Sequence, residues 1–177
     1  MFAKIAARDL VVIAVSVALW LGLAEFTRGD TPLADFLGVI LGLLMGVCGY
    51  FLHEWGHFAG ALLTRSRVYA PATLTTAFLF SFDSKRNDKR QFLIMSLTGF
   101  LMTAVVTFAF YTFLPDDLLA SRVARGVAVL GVFLALFVET PLLLYGLFGP
   151  TGIPPIEAPG FRVDRPHLTE TPEREAI

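Results

Sequence analysis

Four stretches of this chain are each long and apolar enough to cross the hydrocarbon core of a bilayer, which takes a helix of about 20 residues. They run approximately over residues 10–26, 33–64, 92–114 and 123–148. In lipid a backbone has no water to bond, so a spanning segment must satisfy its own N–H and C=O groups, as a helix does. The expected fold class is therefore an all-α membrane protein with about four transmembrane helices. A hydrophobic content of 55% and a mean hydropathy of +0.68 agree with that class. A net charge of −1 offers no basic surface for nucleic acid, so the expected surroundings are the lipid bilayer and partner or substrate helices. The single cysteine, Cys48, cannot form an intrachain disulfide, and nothing points to an oxidising compartment.

The first run follows Lys4 and Arg8, as a secretory signal would. Asp9 and the absence of a small-x-small cleavage site favour a retained anchor. Lysine and arginine then set orientation. Lys4 and Arg8, six basic residues between Arg65 and Arg90, and Arg162, Arg165 and Arg174 fall on one side. Arg28, Arg122 and Arg125 on the other are mixed with acids. The expectation is a multi-pass protein of the bacterial inner-membrane type, with both termini and the 65–90 loop cytoplasmic. Residues 1–148 form the four-helix transmembrane domain, and 149–177 a Pro-rich, charged cytoplasmic tail. In the 65–90 loop, Phe78, Phe80 and Phe82 alternate among Thr and Phe residues. That period of two predicts a short strand or hairpin-like element between the second and third spans. The alternative is an amphipathic loop resting on headgroups.

The second span holds two of the three histidines, in "HEWGH", residues 53–57. At about 100° per residue, Gly38, Gly42, Gly46, Gly49, His53, His57, Gly60 and Thr64 fall on one helical stripe. A small-residue stripe admits a neighbouring helix, so the histidines that continue it should face protein. Lone intramembrane histidines serve as interhelical hydrogen-bond partners. Two at i,i+4 with a glutamate between them match His-Glu-x-x-His, in which both imidazoles can share a zinc ion and Glu54 can move the proton of an activated water.

"HEWGHFAGALLTRSRV" resembles the active-site helix of the site-2 protease family, intramembrane zinc metalloproteases in which His-Glu-x-Gly-His is followed by small residues, a basic helix end and a β-structured loop. The resemblance implies zinc ligation by His53 and His57 and general acid–base work by Glu54. "SLTGFLMT", residues 96–103, is similar to the family's Ser-Leu-Ala-Gly-Pro-Leu-Ala-Asn, with Phe100 for Pro and Thr103 for Asn. That correspondence gives Thr103 a substrate-binding role. Its alternative is a packing face of Ser96, Gly99, Thr103 and Thr107.

A catalytic zinc takes three protein ligands and keeps one open position. The family's third ligand is the Asp of a Leu-Asp-Gly motif, which this chain lacks. Glu139 in the fourth span is the first candidate. With span midpoints at the bilayer centre, Glu139, His53 and His57 lie about 5, 7 and 13 Å toward the cytoplasm, and tilt brings the last two closer. Pro141 also weakens the helix there and frees the carbonyl of residue 137. Glu157 in "IPPIEAPG" is a second candidate. A third reading puts Tyr145 at the usual Asp position and leaves no acidic ligand. His167 is read as solvated. The expected function is hydrolysis of peptide bonds in membrane-anchored proteins. The alternatives are a catalytically inactive relative serving as a structural or adaptor subunit and, more weakly, a transporter.

Overall fold

The computed structural model describes residues 1–71, 73–149 and 152–154. It contains four helices long and apolar enough to cross a membrane, and a small antiparallel sheet. Helix α1 (Phe2–Leu23) runs into a 3-10 turn, Ala24–Arg28. Helix α2 (Pro32–Leu63) is the longest. Strands β1 (Val68–Tyr69) and β2 (Ser81–Phe82) follow, then α3 (Lys89–Phe113). The fourth rod is built of α4 (Leu119–Leu134), a π-helical turn (Ala135–Glu139) and α5 (Thr140–Phe148). Glu157, His167 and most of the 149–177 tail lie outside the described residues.

Helices α1, α3 and α4 begin before the apolar runs do. Hydropathy rejects Lys4, Arg8, Lys89 and Arg122, yet straight-chain basic residues favour helix and their stems extend each rod. The start of α3 is set by a capping box. Asp88 accepts the Gln91 N–H at 2.8 Å, and the Gln91 side chain accepts the Asp88 N–H at 2.8 Å. Thr31 caps α2 by accepting the Ala34 N–H, with Pro32 in the first turn where a missing N–H costs nothing. Arg65, with φ of 53°, turns the chain away just past its end.

Helix α2 is the hub and touches α1, α3 and α4. Its small residues divide between two neighbours. A Cβ on Gly42 would sit 2.5 Å from the Val123 Cβ, and one on Gly46 would sit 2.5 Å from a Val127 methyl, so this half admits α4. A Cβ on Gly49 would lie 3.0 Å from a Val106 methyl and one on Gly60 2.9 Å from the Met95 Cα, so the other half admits α3. The expected stripe is therefore two contact faces that meet near the histidines.

The N-terminal part of α1, the 64–88 loop and the end of α5 share one end of the bundle. The Arg8 guanidinium donates to the carbonyls of Leu74 and Thr76, and Lys89 Nζ donates to the Leu147 carbonyl at 3.4 Å. At the other end Arg28 pairs with Asp117. The sheet lies between the second and third helices, but the alternating-phenylalanine reading needs correction. Only Ser81–Phe82 pairs, with Val68 opposite Phe82 and Tyr69 opposite Ser81. Leu79, Phe80, Ser81 and Phe82 are all buried, with no alternation. The segment is covered on both sides because it plugs one end of the bundle: Phe80 meets Phe58 at 5.5 Å and Phe82 meets Phe92 at 6.1 Å. Asn87 closes the loop by accepting the Arg67 N–H at 2.7 Å and donating to the Arg67 carbonyl at 2.8 Å.

Candidate metal centre

Two residues a helical turn apart on α2 start the site. Their rings are 4.5 Å apart and almost perpendicular, with His53 Nε2 and His57 Nε2 3.1 Å from each other. Glu139 completes the group from the π-helical turn, with Oε1 3.1 Å from His53 Nε2 and Oε2 3.5 Å from His57 Nε2. Local chemistry accounts for the turn. Pro141 has no N–H to continue the helical ladder, and the backbone widens so that the Thr140 N–H reaches the Ala135 carbonyl. The Thr140 hydroxyl donates to that carbonyl as well, at 3.0 Å.

The far side of each ring is fixed. His57 Nδ1 lies 3.0 Å from the Met95 carbonyl, which can only accept, so Nδ1 carries the proton and a neutral His57 turns a lone pair inward. His53 Nδ1 is 2.7 Å from Thr103 Oγ1. Gly99 gives the His57 ring its space, since any Cβ there would overlap the imidazole. Within the cluster, two neutral rings offer at most one inward N–H to two nitrogens and two carboxylate oxygens. Glu139 Oε2 is buried and has no hydrogen-bond partner. A divalent cation would supply the missing positive centre. Ligand atoms about 2.0–2.1 Å from a tetrahedral zinc lie about 3.4 Å from one another. The two ring nitrogens are 3.1 Å apart, and each faces a different oxygen of the Glu139 carboxylate, at 3.1 and 3.5 Å, separations close to that spacing. Two imidazoles and a carboxylate form a donor set that fits zinc with one position open.

Glu54 points to the loop side. It shares with both histidines a cavity of about 460 Å³, roofed by Phe78, Phe80 and Phe82. The Leu79 N–H donates to Glu54 Oε2 at 3.1 Å. The loop carrying Leu79 is itself held by Arg8 and by the Tyr50 hydroxyl, which donates to the Ala77 carbonyl at 2.9 Å. Arg8 also pairs with the buried Asp9, whose second oxygen accepts the Trp55 indole N–H at 2.9 Å. The residue between Glu54 and Gly56 is thereby tied to α1.

The structure thus brings together His53, His57 and Glu139, the first of the third-ligand candidates, with Glu54 beside them. Glu157 lies outside the described residues, and Tyr145, 44% exposed, lines neither cavity that reaches the cluster. Thr103 bears on His53 through the ring nitrogen, a contact its packing-face pattern did not reveal. Sequence reasoning also missed Leu79, Tyr50 and the Trp55–Asp9 bond; of these only Asp9, an acid next to an apolar run, gave a signal. Thr103→Val, which keeps the shape and removes the hydroxyl, should weaken zinc binding by about 10–100-fold. Competition with a calibrated chelator measures this, and unchanged affinity would show that the hydroxyl does not fix the ring.

The fold and the donor set define a bundle of four apolar helices around a His₂–Glu cluster. Comparison with protein-family models, curated proteins and solved structures finds no match.

Proposed function

We propose that the chain is an integral membrane zinc metalloprotease of the site-2 type, cutting membrane-anchored proteins within or beside a transmembrane helix. The observation that carries this reading is the convergence of His53, His57 and Glu139 with Glu54 on the same cavity. Insertion in lipid is supported by the outward apolar side chains along all four rods, among them Leu21, Leu43, Leu101 and Phe137. The basic residues gather at the loop end, which supports a cytoplasmic placement of that end.

His53, His57 and Glu139 would hold the zinc, and Thr103 and the Met95 carbonyl would keep both rings aimed at it. When bound, the ion supplies Lewis acidity toward water and toward a peptide carbonyl. Glu54 would accept a proton from the attacking water and return it to the leaving amide nitrogen. The Leu79 N–H steadies the carboxylate for both transfers. Phe78, Phe80 and Phe82 line the cavity with apolar surface.

The adaptor alternative rests on the absent Leu-Asp-Gly motif. Glu139 meets that objection by placing a carboxylate at the imidazoles from a different local sequence. In detergent, the purified protein should hold about one zinc per chain and cleave a single-pass test substrate. Chelation should abolish cleavage and added zinc restore it. Cleavage unaffected by complete zinc removal, or one bound zinc with no cleavage of any membrane-anchored substrate, would refute the proposal.

A further inference from the structure

A second cavity reaches the same cluster from deeper in the bundle. It has a volume of about 170 Å³ and lies between α2, α3 and α4. It shares only His53 and Glu139 with the loop-side cavity, so the two chambers meet at the candidate metal position. It extends along α2 from His53 back to Gly46, about 10 Å at the helical rise. Away from the cluster its wall is mainly aliphatic and aromatic, with Val106, Phe110, Val127 and Leu134 prominent. Gly131 opens onto it, and a Cβ built there meets nothing within 4 Å.

Two features argue for a functional void. The cleft opens at the bundle surface between the exposed Leu130 and Leu134, and its inner end adjoins the candidate reaction centre. One benzene-sized group fills an apolar space of about 150 Å³. The present void is of that size.

We propose that this cavity is the specificity pocket of the enzyme and takes one medium-sized apolar side chain, leucine, methionine or phenylalanine, from a substrate residue adjoining the scissile bond. The inference rests on the protease reading and deepens it. A substrate carbonyl at the cluster places the neighbouring side chain at the junction of the two chambers. The loop-side chamber, which holds Glu54, is left for the peptide backbone and the proton transfers. Alanine would leave the pocket empty. Lysine would bring a charge against mainly apolar walls whose one carboxylate, Glu139, would be committed to the ion.

The test uses the full-length zinc-loaded protein in phospholipid nanodiscs. Its substrates are single-pass peptides differing only in the two residues that flank the mapped cut, each varied through Ala, Leu, Met, Phe and Lys. At one of the two positions, Leu, Met or Phe should be preferred over Ala by about tenfold or more, and Lys should be rejected. Gly131→Leu, which fills the void, should keep the wild-type zinc content and reduce that preference by about tenfold. Leu134→Ala, which widens it, should shift the preference toward Phe. Zinc content reports folding, because the ligands come from two separate rods. If Gly131→Leu loses zinc, the direction of the Leu134→Ala shift decides. Cleavage with wild-type selectivity in zinc-replete variants would overturn the pocket and leave the protease reading standing. A wild-type protein that cuts no substrate in the panel would overturn both.

Discussion

Glu54→Gln is expected to leave the zinc content unchanged and to slow cleavage by about 10²–10⁴-fold, the range contributed by a positioned general acid–base group. The substitution is close to isosteric. Glutamine keeps a carbonyl oxygen that can accept the Leu79 N–H, now 3.1 Å from Glu54 Oε2, so the loop should stay seated. None of the three ligand atoms is touched, since the cluster consists of His53, His57 and Glu139. What disappears is a group able to take and return a proton. Single-turnover cleavage of a membrane-anchored substrate, measured beside zinc content by mass spectrometry, separates the two effects. A variant that keeps both zinc and wild-type cleavage would remove Glu54 from the mechanism. One that loses zinc as well would assign Glu54 to the metal site.

Glu139→Ala is expected to weaken zinc binding by more than about 100-fold, the upper end of what loss of an outer-shell partner costs. Two neutral imidazoles alone neither balance the ionic charge nor complete three protein ligands. The result discriminates between the candidate third ligands, because it assigns the acidic donor to the π-helical turn and away from Glu157. The backbone also deserves a control. Thr140→Val removes the hydroxyl that donates to the Ala135 carbonyl but keeps the N–H that closes the turn, so its effect should be smaller. Equal zinc affinity in wild type and Glu139→Ala would exclude Glu139 as a ligand.

The parts of this site that were legible in the sequence are those fixed by helical geometry. His53 and His57 share a face because four residues turn a helix through little more than one revolution, and Glu54 must adjoin them. Glu139 was reachable by depth alone, since two rods with known midpoints can be laid side by side. Its local geometry was only half visible: Pro141 announced a weakened helix, while the π-helical widening depends on which carbonyl the Thr140 N–H selects. The Leu79 contact left no trace, because the donor is a backbone N–H and any residue carries one.

The loop shows why a correct periodicity can mislead. Phe78, Phe80 and Phe82 alternate as in a half-buried strand, but Leu79 is 1% exposed and Phe80, Ser81 and Phe82 are buried with it. A segment wedged under helix ends has no solvent face, so tertiary burial overrides the local pattern. The glycine stripe does admit close neighbours, and the length of α2 makes them two: it meets α4 with Gly42 and Gly46 and α3 with Gly49 and Gly60. Hydropathy likewise placed the rods but trimmed their charged ends, where Arg8 and Asp9 anchor both the loop and Trp55.

The most direct measurement is zinc K-edge X-ray absorption on the protein reconstituted with one equivalent of zinc, compared with Glu139→Ala. The account predicts a four-coordinate ion with two imidazole nitrogens at about 2.0–2.1 Å and oxygen donors at about 2.0–2.2 Å, one of them lost or replaced in the variant. Zinc without imidazole scattering, or an identical coordination sphere at equal occupancy in the two proteins, would contradict it.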